Sequence, residues 1–180
     1  MKVVAGEFGG RPLKTLDGQL TRPTSDKVKG AIFSMLGQFF DEGRVLDLYA
    51  GSGSLSIEAI SRGCDSAILV EKDRRAQKII EVNVQMTRSE EQFELFKMSA
   101  DKAISLLTGE FDLVFLDPPY AKEQVVKDIL LLNSRRLLAK TAVIVCETDK
   151  TVQLPDEIDD FYLSKQKRYG ISQVTIYERK

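Results

Sequence analysis

Short apolar strands alternate with helices along most of this chain, and no other feature restricts its fold so strongly. Residues 44–49, 66–70, 92–97, 111–116 and 141–146 read as strands. Residues 54–62, 74–86, a stretch ending at Leu107, and 123–132 (or on to Leu138) read as the helices between them. Several strands are nearly continuous apolar runs, the pattern of strands covered on both faces. Residues 160–167 and 171–177 have no helix between them, only Arg168-Tyr169-Gly170, so they read as an antiparallel closing pair. The expectation is an α/β protein, a three-layer sandwich on a mostly parallel seven-stranded sheet with an antiparallel final strand.

Residues 1–40 stand outside this alternation. Residues 2–8 and 11–16 read as two short strands around Gly9-Gly10, with a second turn at Asp17-Gly18. Thr24 or Ser25 can cap a helix over residues 26–39, whose apolar stripe is Val28, Ile32, Phe33, Leu36 and Phe39 or Phe40. This unit is too small to fold alone and must lean on the rest. The expected organisation is a hairpin and helix extension over residues 1–40 and a main domain over residues 41–180. No apolar run is long enough to span a membrane, and the first residues lack the pattern of a secretory signal. Cys64 and Cys146 read as reduced space-fillers in a cytoplasmic protein.

The chain has no histidine among its 180 residues. That excludes imidazole-based nucleophile schemes and histidine metal sites, and two cysteines cannot build a zinc site. The chemistry must run on carboxylates, backbone groups, aromatic faces, lysine or arginine, and a reactive cofactor, with no metal.

Where such a sheet binds ligands, at the carboxyl ends of its strands, stand Asp47, Glu71, Asp117 and Glu147. Gly51 and Gly53 lie between a strand and a helix, where backbone can approach a ligand. Position 56 is serine, so the usual dinucleotide fingerprint is incomplete, and no Lys-Ser or Lys-Thr pair makes a phosphate loop. Asp47 would repel a pyrophosphate but suits an amine. Glu71, 20 residues after Gly51, suits the two hydroxyls of a ribose. A ribose and a cationic amine without phosphate describe S-adenosylmethionine. Asp101, beside the Ala100 backbone, then either meets the adenine amine or simply caps a helix.

Asp117-Pro118-Pro119-Tyr120 is the sharpest local signal. The prolines stiffen the loop, Asp117 and the Pro118 carbonyl present two acceptors to a planar amino group, and Tyr120 offers a stacking face. Two acceptors on an exocyclic amine favour its nucleophilic, pyramidal form, and no histidine or metal is required.

Charge is divided. Residues 1–30 hold six basic and three acidic side chains, and residues 164–180 hold five and one, in a chain of net charge -1. The basic ends suit a phosphate backbone, although a modest excess is also what ordinary solvated faces carry. Arg22-Pro23-Thr24-Ser25 is a proline-stiffened turn that sets an arginine before a helix cap.

These residues resemble the RsmD-type bacterial methyltransferases. The likeness rests on Asp47-Leu48-Tyr49-Ala50-Gly51-Ser52-Gly53-Ser54-Leu55 with Glu58-Ala59 and Ser61-Arg62-Gly63 following. It rests also on Gly6-Glu7-Phe8-Gly9-Gly10-Arg11-Pro12-Leu13, on Arg22 through Lys29, and on Asp117 through Tyr120. The resemblance implies a Rossmann-like class I fold that methylates N2 of guanine 966 in 16S ribosomal RNA, in the small subunit or its assembly intermediate, mostly as a monomer. It implies cofactor contacts from Asp47, Tyr49, Ala50, Gly51, Ser52, Gly53, Glu71, Lys72, Ala100 and Asp101. Asp117, Pro118 and Tyr120 would hold the target guanine, and Arg11, Arg22, Thr24, Lys27 and Arg168 would meet RNA. The alternatives are transfer to another amino group, adenine N6 or a glutamine side chain, and a non-catalytic RNA-binding module. Those amino-group enzymes often carry Asn where this chain has Asp117, which leans weakly toward guanine.

Overall fold

The computed structural model describes residues 1–16 and 25–180. Its strands are β1 (Arg44–Asp47), β2 (Ser66–Val70), β3 (Phe93–Phe96), β4 (Phe111–Leu116), β5 (Leu138–Asp149), β6 (Glu157–Ile158), β7 (Phe161–Tyr169) and β8 (Ser172–Arg179). They form one eight-stranded sheet in the order β3-β2-β1-β4-β5-β8-β7-β6. The β3-β2-β1-β4-β5 pairs are parallel, and β8 runs antiparallel to both β5 and β7. The eighth strand is the two-residue β6, which folds back on β7 through a turn with Asp159 at φ 52. The rest is the expected Rossmann-like architecture.

Helices α1 (Asp26–Leu36), α2 (Ser54–Ser61), α3 (Arg74–Thr87), α4 (Ala100–Leu106) and α5 (Ala121–Ser134) cover the sheet. Two apolar clusters separate the faces. One joins α4 and α5 to Leu46, Val114, Ile144 and Tyr177; the other joins α1, α2 and α3 to Val45, Leu69, Phe115 and Val174. In α5, Val125, Ile129 and Leu132 recur at helical spacing and are fully buried, worth roughly 1.5–3 kcal/mol each.

Element ends differ from expectation for local reasons. Helix α1 is capped by Ser25, whose Oγ accepts from the Val28 amide at 3.2 Å. It stops at Leu36 rather than residue 39 because Gly37 adopts φ 104 and returns its amide to the Phe33 and Ser34 carbonyls. Helix α5 starts at Ala121, directly after the proline loop, and β5 starts at Leu138, inside the range where the helix was expected to continue.

The N-terminal hairpin is not two strands. One isolated bridge, Lys2 to Pro12, is what forms among the described residues. Around it the Val3 amide donates to the Arg11 carbonyl and the Leu13 amide to that of Met1, while the next amides turn to α2: Val4 and Ala5 donate to Glu58 Oε1 and Oε2, at 2.8 and 3.0 Å. The Glu7 amide donates to the Ser61 carbonyl, and that of Phe8 to Ser61 Oγ. Gly6, at φ 88, permits this approach, since a Cβ there would sit 2.0 Å from the Ser61 carbonyl oxygen. The expected turn at Asp17-Gly18 lies outside the described residues.

Candidate active site

The chain order reverses between β1 and β4. From β1 it steps outward to β2 and β3, then returns to the other side of β1 as β4. A crevice opens at the carboxyl ends of strands at such a switch point. Here it is a cavity of about 670 Å³, the size of pockets that hold nucleotide-sized ligands. Asp47, Tyr49, Ala50, Gly51, Ser52, Glu71, Lys72, Ala100, Asp101, Asp117, Pro118 and Tyr120 all line it.

Asp47 ends β1 and is buried at the cavity floor. Its Oδ2 accepts from the Ser56 hydroxyl at 2.8 Å. Burial pushes its carboxyl up to about 7; the Ser56 bonds oppose that rise and the Glu71 charge adds to it. The chain then turns through Gly51 at φ 58 and Gly53 at φ 82, which is the N-cap of α2. Gly53 stands behind the cavity wall, where a Cβ would meet Leu69 at 3.1 Å. Asn83 of α3 fixes the turn, its Nδ2 donating to the Ser52 carbonyl at 2.9 Å.

Glu71 follows β2. Its Oε1 accepts from the Gly51 amide and its Oε2 from the Asp73 amide, both at 2.9 Å. An ionised carboxylate has about four acceptor sites, so hydrogen bonding to two ribose hydroxyls is still available. A buried carboxylate with a single side-chain hydroxyl partner is what a cationic amine requires, and the residues present therefore fit S-adenosylmethionine. Asp101, on the first turn of α4, pairs through Oδ2 with Lys127 Nζ at 2.9 Å.

Asp117, Pro118, Pro119 and Tyr120 run from the end of β4 into α5. Pro118 is buried and Asp117 exposed. Tyr120 is 79% exposed, the most exposed large apolar side chain among the described residues. The structure thus gathers the twelve cavity residues named above. Arg11 instead donates to the Met86 and Thr87 carbonyls at 3.3 Å and lies over the Phe8 ring. Lys27 and Arg168 are exposed outside the cavity, and Arg22 and Thr24 lie outside the described residues.

Sequence reasoning missed several contributors. Thr15, Leu16, Met98 and Gln124 line the cavity, and Glu147, noticed only as a strand end, lines it too. Asp128 of α5 is fully buried and accepts from the Tyr49 hydroxyl at 2.5 Å and from Gln124 Nε2 at 2.9 Å. Its position two turns into the helix that follows Tyr120 was the signal available. Among the described residues, no group of three or more acidic or sulfur ligands is placed to hold a metal, and no helix is long and apolar enough to cross a membrane.

The Rossmann-like sheet, with this carboxylate-lined crevice at its switch point, defines a class I S-adenosylmethionine-dependent methyltransferase. The family model described as Conserved hypothetical protein 95 matches residues 1–178, and the chain belongs to that family. It is 40% identical over 185 residues to YlbH of Bacillus subtilis, with both chains covered in full. It is 33% identical to the Haemophilus influenzae protein named Ribosomal RNA small subunit methyltransferase D, covering 99% of this chain and 93% of that one. Among solved structures, a Streptococcus pyogenes protein shares 57% identity at a TM-score of 0.83, covering 85% of this chain and 96% of that one. The likeness to the RsmD-type proteins is thereby borne out over the whole chain.

Proposed function

We propose that this protein transfers the methyl group of S-adenosylmethionine to the N2 amine of guanine 966 in 16S ribosomal RNA. On this reading it works as a cytoplasmic monomer on the small subunit or its assembly intermediate. The ribosomal substrate draws support from the Haemophilus influenzae relative's name. The observation that carries the chemistry is the placement of Asp117, Pro118 and Tyr120 in one cavity with the Gly51 turn and Glu71.

S-adenosylmethionine supplies a methyl group activated on a sulfonium. Asp47 would hold its amino group, the Ser52 amide of the glycine turn its carboxylate, Glu71 its ribose hydroxyls, and Ala100 and Asp101 its adenine. Tyr49, Ala50, Ser52 and Lys72 complete the wall. Asp117 and the Pro118 carbonyl accept the two N–H groups of the guanine amine, turning its lone pair toward the methyl carbon for in-line attack. Asp117 or water would take the proton that the amine releases on accepting the methyl group. The guanine must be turned out of its stack, and the exposed Tyr120 ring gives it a new stacking face. Residues 1–40 form an RNA-contacting extension to the domain of residues 41–180, with Arg11, Arg22, Thr24, Lys27 and Arg168 as contacts.

The test is Asp117→Ala, assayed by transfer of labelled methyl to small subunits from a strain lacking this activity, with the modified nucleotide mapped by mass spectrometry. Transfer should fall by at least about a thousandfold while cofactor affinity, measured calorimetrically, changes less than about threefold. Undiminished transfer removes Asp117 from the chemistry, and a methyl mapped to adenine replaces the substrate.

A further inference from the structure

We infer that the groove between α1 and β7 is a track for single-stranded RNA, carrying the strand that flanks the target nucleotide away from the cavity. The inference rests on the proposed RNA substrate. Ala31, Ser34 and Met35 of α1 and Lys165, Lys167 and Tyr169 of β7 line this groove.

A break in strand pairing builds it. Phe161 and Leu163 of β7 pack with Tyr177 on the α5 face of the sheet. Plain alternation would send Lys165, Lys167 and Tyr169 to that same face. Between Leu163 and Lys165 the register shifts, with Leu163 opposite Tyr177 and Lys165 opposite Ile176. One residue, Ser164, is left over, and a bulge of this kind re-aims the side chains beyond it. Lys165 and Lys167 thereby share a face with Ile176 and Val174, and Tyr169 packs with the α1 cluster. On α1, Lys27 is exposed one turn before Ala31, on the same side of the helix.

The charge there is one-sided. Strand β7 contains no carboxylate, and α1 has only Asp26, which accepts from the Lys2 amide and lies 3.8 Å from Lys29 Nζ. Lys165 Nζ donates to the Met35 carbonyl at 3.0 Å, and an ammonium has two further donors. A row of cations beside an aromatic face suits phosphates and an unstacked base. The groove adjoins the cavity along the chain: Ile32, next to Ala31, lines the cavity itself. At the end of β7 the chain turns into β8, where Ser172 pairs with Asp149, another cavity residue. The competing account is that these lysines only guard a strand edge, since β6 covers just the first two residues of β7. Lysines and a bulge both blunt a strand edge; Tyr169 in the same groove, and the nearness of that groove to the cavity, are what the edge account leaves unexplained.

The test compares Lys165→Glu/Lys167→Glu with Lys165→Arg/Lys167→Arg and the unaltered protein, using 16S RNA and small ribosomal subunits as probes. In the Glu variant, RNA affinity should fall at least tenfold and the slope of log affinity against log salt should shrink by about 1.4, two single-strand phosphate contacts. The Arg variant should keep both, S-adenosylmethionine affinity should not move, and ultraviolet crosslinking should attach nucleotides to the peptide carrying Tyr169. Three results overturn the inference: unchanged RNA affinity with lowered solubility, which leaves an edge guard; loss of methylation on subunits with unchanged binding to free RNA, which makes the partner a protein; or no nucleotide on that peptide. Failure of the unaltered protein to bind or methylate ribosomal RNA would sink the proposed function instead.

Discussion

Helix α2 touches two buried carboxylates that live in opposite circumstances. Glu58 is wholly enclosed and richly bonded: it accepts from the Val4 and Ala5 amides and from Arg62 Nε at 2.8 Å, with Lys29 Nζ at 3.4 Å. Asp47 is 3% exposed, and its side-chain partner is the Ser56 hydroxyl, on the same helix two residues before Glu58. Among the described residues it forms no ion pair. A buried carboxylate with matched cations and amides serves the fold, because it binds the N-terminal segment and α1 to the sheet. One with a hydroxyl and a raised pKa is, on the proposed function, held in readiness for a positive ligand.

The largest effect should come from the bonded carboxylate. Glu58→Ala strands two buried cations and two amides, and should lower stability in urea by about 3–5 kcal/mol. A loss below about 1 kcal/mol would show that the N-terminal segment is held by its apolar contacts alone. The ready carboxylate should behave in the reverse way, and pH exposes it. Its native pKa is raised from 3.8 to about 7, so the native state keeps a proton that the unfolded chain has released. The contribution of Asp47 to stability should therefore fall as pH rises from about 4 to about 7 and level off above, by up to about 1.4 kcal/mol per pH unit within that window. Asp47→Asn removes this contribution. Urea melts at pH 5 and pH 8 should show the variant gaining on the parent at the higher pH by a few kcal/mol. Equal pH dependence in both would mean that Asp47 is ionised in the free protein. The same variant should bind S-adenosylmethionine about tenfold to a hundredfold more weakly at pH 8, the worth of a hydrogen bond to a charged group.

The two carboxylates also differ in how far they could be read beforehand. Asp47 is legible because its signals are local: an apolar strand before it, two glycines after it, a helix next. The same holds for Asp117, where two prolines punctuate the chain. Glu58 stands in the motif that carries the family likeness, but its structural role is not legible there, because its partners Val4 and Ala5 are 54 and 53 residues away in sequence. For that reason the short extent of the N-terminal hairpin was not legible: Val3 and Leu13 pair across it as a ladder would, and only the folded chain turns the Val4 and Ala5 amides toward α2. The bulge at Ser164 is hidden likewise, since alternation along β7 gives no hint that one residue is skipped against β8.

The smallest effect concerns a third buried carboxylate, Asp128, which lies between those extremes. It accepts from the Tyr49 hydroxyl and from Gln124, and burial raises its pKa above the usual carboxylate range. Burial and the Asp128 carboxylate together push the Tyr49 phenol up, so it stays protonated and donating. Tyr49 belongs to the turn after β1, and Asp128 to the helix that begins at the proline loop. The bond therefore ties the glycine-turn side of the cavity to the proline-loop side. Tyr49→Phe keeps the ring and leaves Asp128 with Gln124, which should lower stability by about 1–2 kcal/mol. Asp128→Asn keeps an acceptor for the phenol and should lose less. If the tie also sets the distance between methyl and amine, Tyr49→Phe lowers kcat for RNA methylation while the KM for S-adenosylmethionine holds. A rise in that KM alone would place Tyr49 on the cofactor rather than between the two halves of the site.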